Sequence, residues 1–318
     1  MSNGMLYGVP AMRSARLHFF NEQDTPELES LFADAGVVRH LKALGAGVTM
    51  GVRDFTSGRA RVVKHLADEG ILVGAWLLLP REEGYFATLD NAGAVARRYG
   101  ELHAWARHEG LPFESVGLDF EPDLRELSSL LRRPARTLGR WAWRAADKGR
   151  LGRARAEYRG LIQRIRADGH RVETYQFPLL LEERGARGTL WQRFAGALDV
   201  EADREVVMLY SSLLGPLGPG VVEAWAPRCR ALGLGSTGGG IDPWPKLTWE
   251  ALARDLRVAA RHCGDLTVFS LEGCVAQGFL ARLVDFEWDA PVEVAPRLPR
   301  VATQALRAAL WGASRLLR

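Results

Sequence analysis

Cysteine is scarce in this chain. Cys229, Cys263 and Cys274 are the only three, an odd set without CxxC spacing, which argues against a disulfide framework and a thiolate zinc site. The seven histidines are scattered. None form an HxH or paired motif, so no resident metal and no cofactor are expected. No apolar run approaches the roughly 18–20 residues needed to span a bilayer. The opening stretch MSNGMLYGVPAMRSARLHFF lacks an apolar core of roughly 7–15 residues before a small-residue cleavage site, so no signal peptide is expected and the cytoplasm is the default location. A strong net charge is also missing. Lys and Arg number 42 against 38 Asp and Glu, a balance of +4, and no nucleic-acid reading module accompanies the arginines, so nucleic acid is not an expected partner.

What is present is ordinary globular composition, 47% hydrophobic and 25% charged over 318 residues. A single α/β barrel reaches this length. Short apolar runs alternate with longer helical patterns and share no common repeat sequence, which excludes a solenoid. Eight runs read as strands: RLHFFNE, AGVTMGVRDF, ILVGAWLLLP, SVGLDFEPD, RVETYQFPLL, EVVMLYSSLL, GLGSTGGGID and LTVFSLEGC. Their near-continuous apolar character suits a parallel sheet buried on both faces. Between the first two lies one helix, with Thr25 as N-cap, Pro26 at its first position and Gly45 as its stop. Eight strand–helix units predict a (β/α)8 TIM barrel over 1–296, carrying a basic insertion at about 124–155 and followed by a basic amphipathic helix over 297–318.

In that fold, chemistry gathers at the C-terminal ends of the strands. Strand one ends in Asn21 and Glu22, strand two in Arg53 and Asp54, and strand four in Asp119, Glu121 and Asp123. Strand five ends in Tyr175 and Gln176, strand six in Tyr210, Ser211 and Ser212, strand seven in Ser236 and Thr237, and strand eight in Ser270 and Glu272. Strand alternation puts Gly117, Asp119 and Glu121 on one face and Leu118 and Phe120 on the other. The apolar pair belongs under the helices, so the acids face the barrel mouth. Carboxylates crowded there repel, and one is expected to hold its proton near neutral pH, the condition for a general acid.

The stretch SVGLDFEPD resembles the fourth-strand pattern DGxDxDxE of family 18 glycoside hydrolases, the chitinase-like barrels, through Asp119, Phe120 and Glu121. VVMLYSS is similar to the family's Met-x-Tyr-Asp segment through Met208 and Tyr210. The resemblance implies Glu121 as the acid that protonates the glycosidic oxygen, Asp119 as its electrostatic partner, and Tyr210 as the residue that positions a carbohydrate or glycoconjugate substrate. The pattern departs at Glu114, Ser115, Gly117 and Ser211, where the family carries Asp, Gly, Asp and Asp, which sets substrate-assisted cleavage aside. Glu272 is the candidate second carboxylate: about 5–5.5 Å from the acid would suit a retaining enzyme, about 6.5–9.5 Å an inverting one. The alternative for Glu272 is an ion pair with Arg53. Glu22, Asp54, Asp123, Tyr175, Gln176, Ser236, Thr237 and Trp244 are the candidate substrate-binding residues.

Two other readings stand beside this one. Ser236, Thr237 and the glycines after them lie where barrels often bind phosphate; with Glu22, Asp54, Asp119, Glu121 and Glu272 as oxygen ligands, they would make a Mg-dependent phosphoester or sugar-phosphate enzyme. The third reading is a glycan-binding barrel without catalysis. Finally, 130–155 and 297–318 mix arginine with tryptophan and leucine. Leu306, Leu310 and Leu317 share a helical face, and both segments read either as peripheral contacts to an anionic membrane or as outer helices with solvated arginines.

Overall fold

A computed structural model describes residues 15–239, 245–292 and 295–316. Eight parallel strands close in chain order into one barrel: β1 (Arg16–Asn21), β2 (Gly47–Val52), β3 (Val73–Leu77), β4 (Ser115–Asp119), β5 (Arg171–Gln176), β6 (Arg204–Leu209), β7 (Ala231–Gly235) and β8 (Asp265–Phe269). This is the expected (β/α)8 barrel. Helices α1 (Thr25–Ala33) and α2 (Ala35–Leu44) follow β1, α3 (Ser57–Asp68) follows β2, and α4 (Ala92–Glu109) follows β3. Helices α5 (Leu124–Arg132), α6 (Pro134–Ala145) and α7 (Lys148–Ala167) follow β4. Next come α8 (Leu179–Ala186) and α9 (Leu190–Ala195) after β5, α10 (Gly218–Trp225) after β6, and α11 (Trp249–Ala260) after β7. Helices α12 (Leu271–Ala276) and α13 (Phe279–Val284) follow β8, and α14 (Arg297–Leu316) packs outside against α8 and α10.

The helix expected after strand one is two helices. Asp34 breaks it and caps the second piece, accepting the Gly36 N–H at 2.7 Å. Asp24, not Thr25, holds the first N-cap position, because the Thr25 hydroxyl is committed to Asp54 at 2.9 Å. Gly45 stops α2 as expected, at φ 57° with its N–H on Leu41 and Lys42 carbonyls.

Alternation along each strand divides the core. Leu118 and Phe120 are fully buried beneath the helices. Inside the barrel, Phe20, Trp76 and Tyr175 form an aromatic belt, with Phe20 ring centroids 4.8 Å from Tyr175 and 5.3 Å from Trp76. Gly117 makes room for it: a Cβ there would lie 2.0 Å from the Tyr175 hydroxyl oxygen. The position where the resembled pattern carries an aspartate is thus occupied by the neighbouring strand's phenol.

Below the belt, at the N-terminal floor, Arg204 is 8% exposed and pairs with Glu173 at 2.7 Å and Asp265 at 2.6 Å, while also donating to Thr267. His18 shares this floor, and burial, then the Arg204 charge, hold its imidazole below the usual value. Above the belt is the mouth.

Candidate active site

Three carboxyl groups from two strand ends reach one cavity of about 500 Å³ at that mouth: Glu22 past β1, and Asp119 and Glu121 at and beyond β4. Tyr210 and Ser236 complete its polar side, and Met208 and Phe269 stand beside them. Asp119 is 2% exposed, and its Oδ1 has no hydrogen-bond partner among the described residues. The indole N–H of Trp76, on the same cavity wall, makes no hydrogen bond of normal geometry, yet it lies near enough to Asp119 to temper that group's rise. Glu121 is half-buried. Among the described residues, no lysine or arginine forms an ion pair with Glu22, Asp119, Glu121 or Glu272.

Electrostatics follow from that isolation. Burial, then repulsion from Glu22, pushes Glu121 up to about 8. Burial, then the charges of Glu121 and Glu22, raises Asp119 well above its ordinary value. Glu22 is also raised by burial, tempered by the hydrogen bond donated by the Tyr85 hydroxyl. Glu121 therefore holds its proton around neutral pH, as a carboxyl in an apolar site with like-charged neighbours does. The Tyr210 phenol is raised by burial and by Glu121, so it stays a hydroxyl donor.

Glu272 sits beside this cluster and does not line the cavity. Its carboxylate accepts from the Asn21 side chain at 2.9 Å and from the Glu22 N–H at 3.2 Å, and burial lifts it to about 7. The alternative, a pairing with Arg53, is absent: Arg53 pairs with Asp24 at 3.1 Å instead. Glu272 thus orients the end of β1, and Glu22 is the second carboxyl that reaches the cavity.

Several expected substrate contacts have structural duties. Against the pull of burial, Arg59 holds Asp54 down at about 2, in a network with Thr25 and Thr56. Asp123 caps α5 through the Arg125 N–H at 2.8 Å and pairs with the Arg125 guanidinium at 2.6 Å. Tyr175 belongs to the aromatic belt below the cavity. Gln176 points out of the barrel and donates to the Leu198 carbonyl at 2.8 Å. Thr237 is fully buried, donating to the Ser270 carbonyl and accepting the Ser270 N–H, both at 2.9 Å, which ties β7 to β8. That hydroxyl is occupied and the Gly238 N–H is given to Ser236, which takes two donors from the expected phosphate cradle; Gly240 lies outside the described residues. Trp244 lies outside the described residues. Among those described, no group of three or more His, Cys, Asp or Glu side chains is placed to hold a metal ion, which leaves the Mg reading without a ligand set there.

The rest of the cavity wall comes from a source that the sequence reading took for surface. Helix α6 lies over the mouth and packs on α9, with α5 packed against α6. Leu138 and Trp141 of α6, with Trp191 and Phe194 of α9, form an apolar wall facing the acids. Trp141 and Phe194 meet edge-to-face with centroids 5.4 Å apart. Trp141 donates its indole N–H to Glu126 at 2.6 Å, and Glu126 also pairs with Arg144. The segment read as an insertion to 155 therefore divides: α5 and α6 make the lid, and Lys148 already opens α7. There Arg150 is 9% exposed at its side chain and bonds Asp90 at 2.6 Å and the Arg193 carbonyl at 2.9 Å. The aromatic spacing of RWAW and LWQRF was the available signal.

Helix α14 also departs from expectation. Its packed seam is polar, with Thr303 and Ser314 buried and Arg307 reaching Glu182 at 2.8 Å. Leu298 and Val301, 78% and 53% exposed, and Leu306 face outward. Among the described residues, no helix is long and apolar enough to cross a membrane.

No family model matches the chain, and no curated protein matches it. Among solved structures it is similar to the glycoside hydrolase domain of PgaB (BpsB) from Bordetella bronchiseptica, at 11% identity and a TM-score of 0.54, over 86% of this chain and 99% of that one. A chitinase from Chromobacterium violaceum aligns at 9% identity and TM-score 0.47, over 84% of this chain and 99% of that one. An L-ribulose 3-epimerase aligns at 15% identity and TM-score 0.43, over 95% and 97%. At these identities the likeness is one of fold.

Proposed function

We propose that the protein is a carbohydrate-active enzyme that cleaves a glycosidic bond, with Glu121 as the general acid. The observation that carries this reading is the meeting of Glu22, Asp119 and Glu121 in one cavity without an ion-pair partner among the described residues. A structural role would have called for cations, because a buried unpaired carboxyl costs stability. Glu121 gives its proton to the departing glycosidic oxygen. Asp119, beneath it, faces the positive charge that grows on the anomeric carbon. Water bonds the anomeric carbon as the glycosidic bond breaks and passes its proton to Glu22, the second carboxyl group that glycoside hydrolysis requires, while the Tyr210 hydroxyl donates a hydrogen bond to the substrate. The similarity to a glycoside hydrolase domain supports the fold on which this chemistry is set.

The test is release of nitrophenol from a panel of aryl glycosides by the wild type and Glu121→Gln. Hydrolysis of one sugar class, lost in the variant with binding kept, is the expected result. Equal hydrolysis by both proteins would overturn the assignment. Binding without hydrolysis by the wild type would point to the non-catalytic glycan-binding barrel.

A further inference from the structure

The cavity is sharply divided. Its floor holds the carboxyls, Tyr210 and Ser236; its wall under the lid is made of Leu138, Trp141, Leu179, Trp191, Phe194 and Leu213. Those six side chains contain two hydrogen-bond donors and no acceptor. The Trp141 donor is already given to Glu126, which leaves the Trp191 Nε1 as the wall's sole uncommitted side-chain polar atom. A second sugar ring placed there would bring several hydroxyls, and each one buried without a partner weakens binding. A hydrocarbon needs no partner and gains from every methylene removed from water. The wall also runs out to solvent, since Leu138 lines the cavity and is 41% exposed. At the α5–α6 junction, Arg132, Arg133 and Arg136 are exposed, a basic cluster suited to an anionic surface.

We infer that the wall under α6 and α9 is a binding site for the hydrocarbon chain of a glycolipid, whose sugar lies over the carboxyls. This rests on the proposed function for the sugar end alone; the site for the chain rests on the composition of the wall. The acids at the floor make the cut between sugar and lipid, and the lid helices select the aglycone.

The experiment is calorimetric titration with n-alkyl β-D-glucosides and n-alkyl N-acetyl-β-D-glucosaminides of one to ten carbons, below their micelle concentrations. Affinity is expected to rise about fourfold per added methylene until the wall is covered. Leu138→Glu and Phe194→Glu should abolish that rise. Leu138 is partly exposed, so its variant should keep the wild-type melting temperature. Leu298→Glu, on the outer face of α14, should leave the rise intact. A flat series, a rise untouched by both lid variants, or a rise lost in Leu298→Glu instead would each overturn the inference. So would affinity that ignores chain length but climbs along a series of linear oligosaccharides. The two readings separate cleanly. Hydrolysis of aryl glycosides with a flat alkyl series leaves the enzyme standing and the lipid site fallen. A steep alkyl series without hydrolysis does the reverse.

Discussion

At the floor of the barrel, Glu173 and Asp265 share Arg204 at 2.7 Å and 2.6 Å. At the mouth, on the other side of the belt of Phe20, Trp76 and Tyr175, Glu22, Asp119 and Glu121 have no such partner among the described residues. Both sites bury acids inside the same cylinder. The floor neutralises them, which is what a fold does with charge that it must keep. The mouth leaves them repelling one another, and the molecule accepts that cost where a ligand can enter. Opposite pH behaviour follows. Against burial, Arg204 holds Asp265 below its ordinary 3.8, so its contribution to stability is present above that pH and is lost as pH falls through the lowered value. Glu121 is raised from 4.5 to about 8, so the folded state holds its proton more tightly; that advantage is complete below about 4.5 and disappears as pH rises through about 8.

The contrast can be broken at either end. Glu121→Gln should lower kcat by about 10²–10⁴-fold, with no loss of melting temperature and with a flatter decline in stability between pH 5 and 9, measured by thermal melts across that range. Arg204→Met should do the converse. It strands Glu173 and Asp265 and should cost about 3–5 kcal/mol of unfolding free energy in denaturant titration, while residual activity per folded molecule is kept. In the wild type, the rate should fall as pH rises above about 8, where Glu121 loses the proton that the proposed role has it donate; a rate that climbs through that range would assign the group as a base instead. Within the belt between them, Gly117→Ala should cost about 1–3 kcal/mol by forcing the Tyr175 ring aside. Least of all, Trp143→Ala, at a side chain 79% exposed, should change stability by no more than about 0.5 kcal/mol.

Much of this was legible before any coordinates. Eight apolar runs punctuated by helical patterns give the barrel, and the period-two spacing of Asp119 and Glu121 against Leu118 and Phe120 tells which side faces the mouth. Depth and occupancy were not legible. Tyr175 shares the inward face with the acids, yet it leans into the space that Gly117 vacates and sits a layer too low. Gln176 and Thr237 stand near strand ends, but they bond the backbone of Leu198 and Ser270, a pairing fixed only once the barrel has closed. The lid was missed for a related reason. An arginine-rich amphipathic helix looks alike whether its apolar face meets lipid, solvent or a cavity, and only the contact with α9 decides.

That lid lies between β4 and α7, rests on α9, and faces the acids only across the cavity. Its sequence can therefore drift, lengthen or be exchanged wholesale without moving a carboxyl group. A lineage built on this scaffold can diversify what the cavity accepts while conserving the acids at its base.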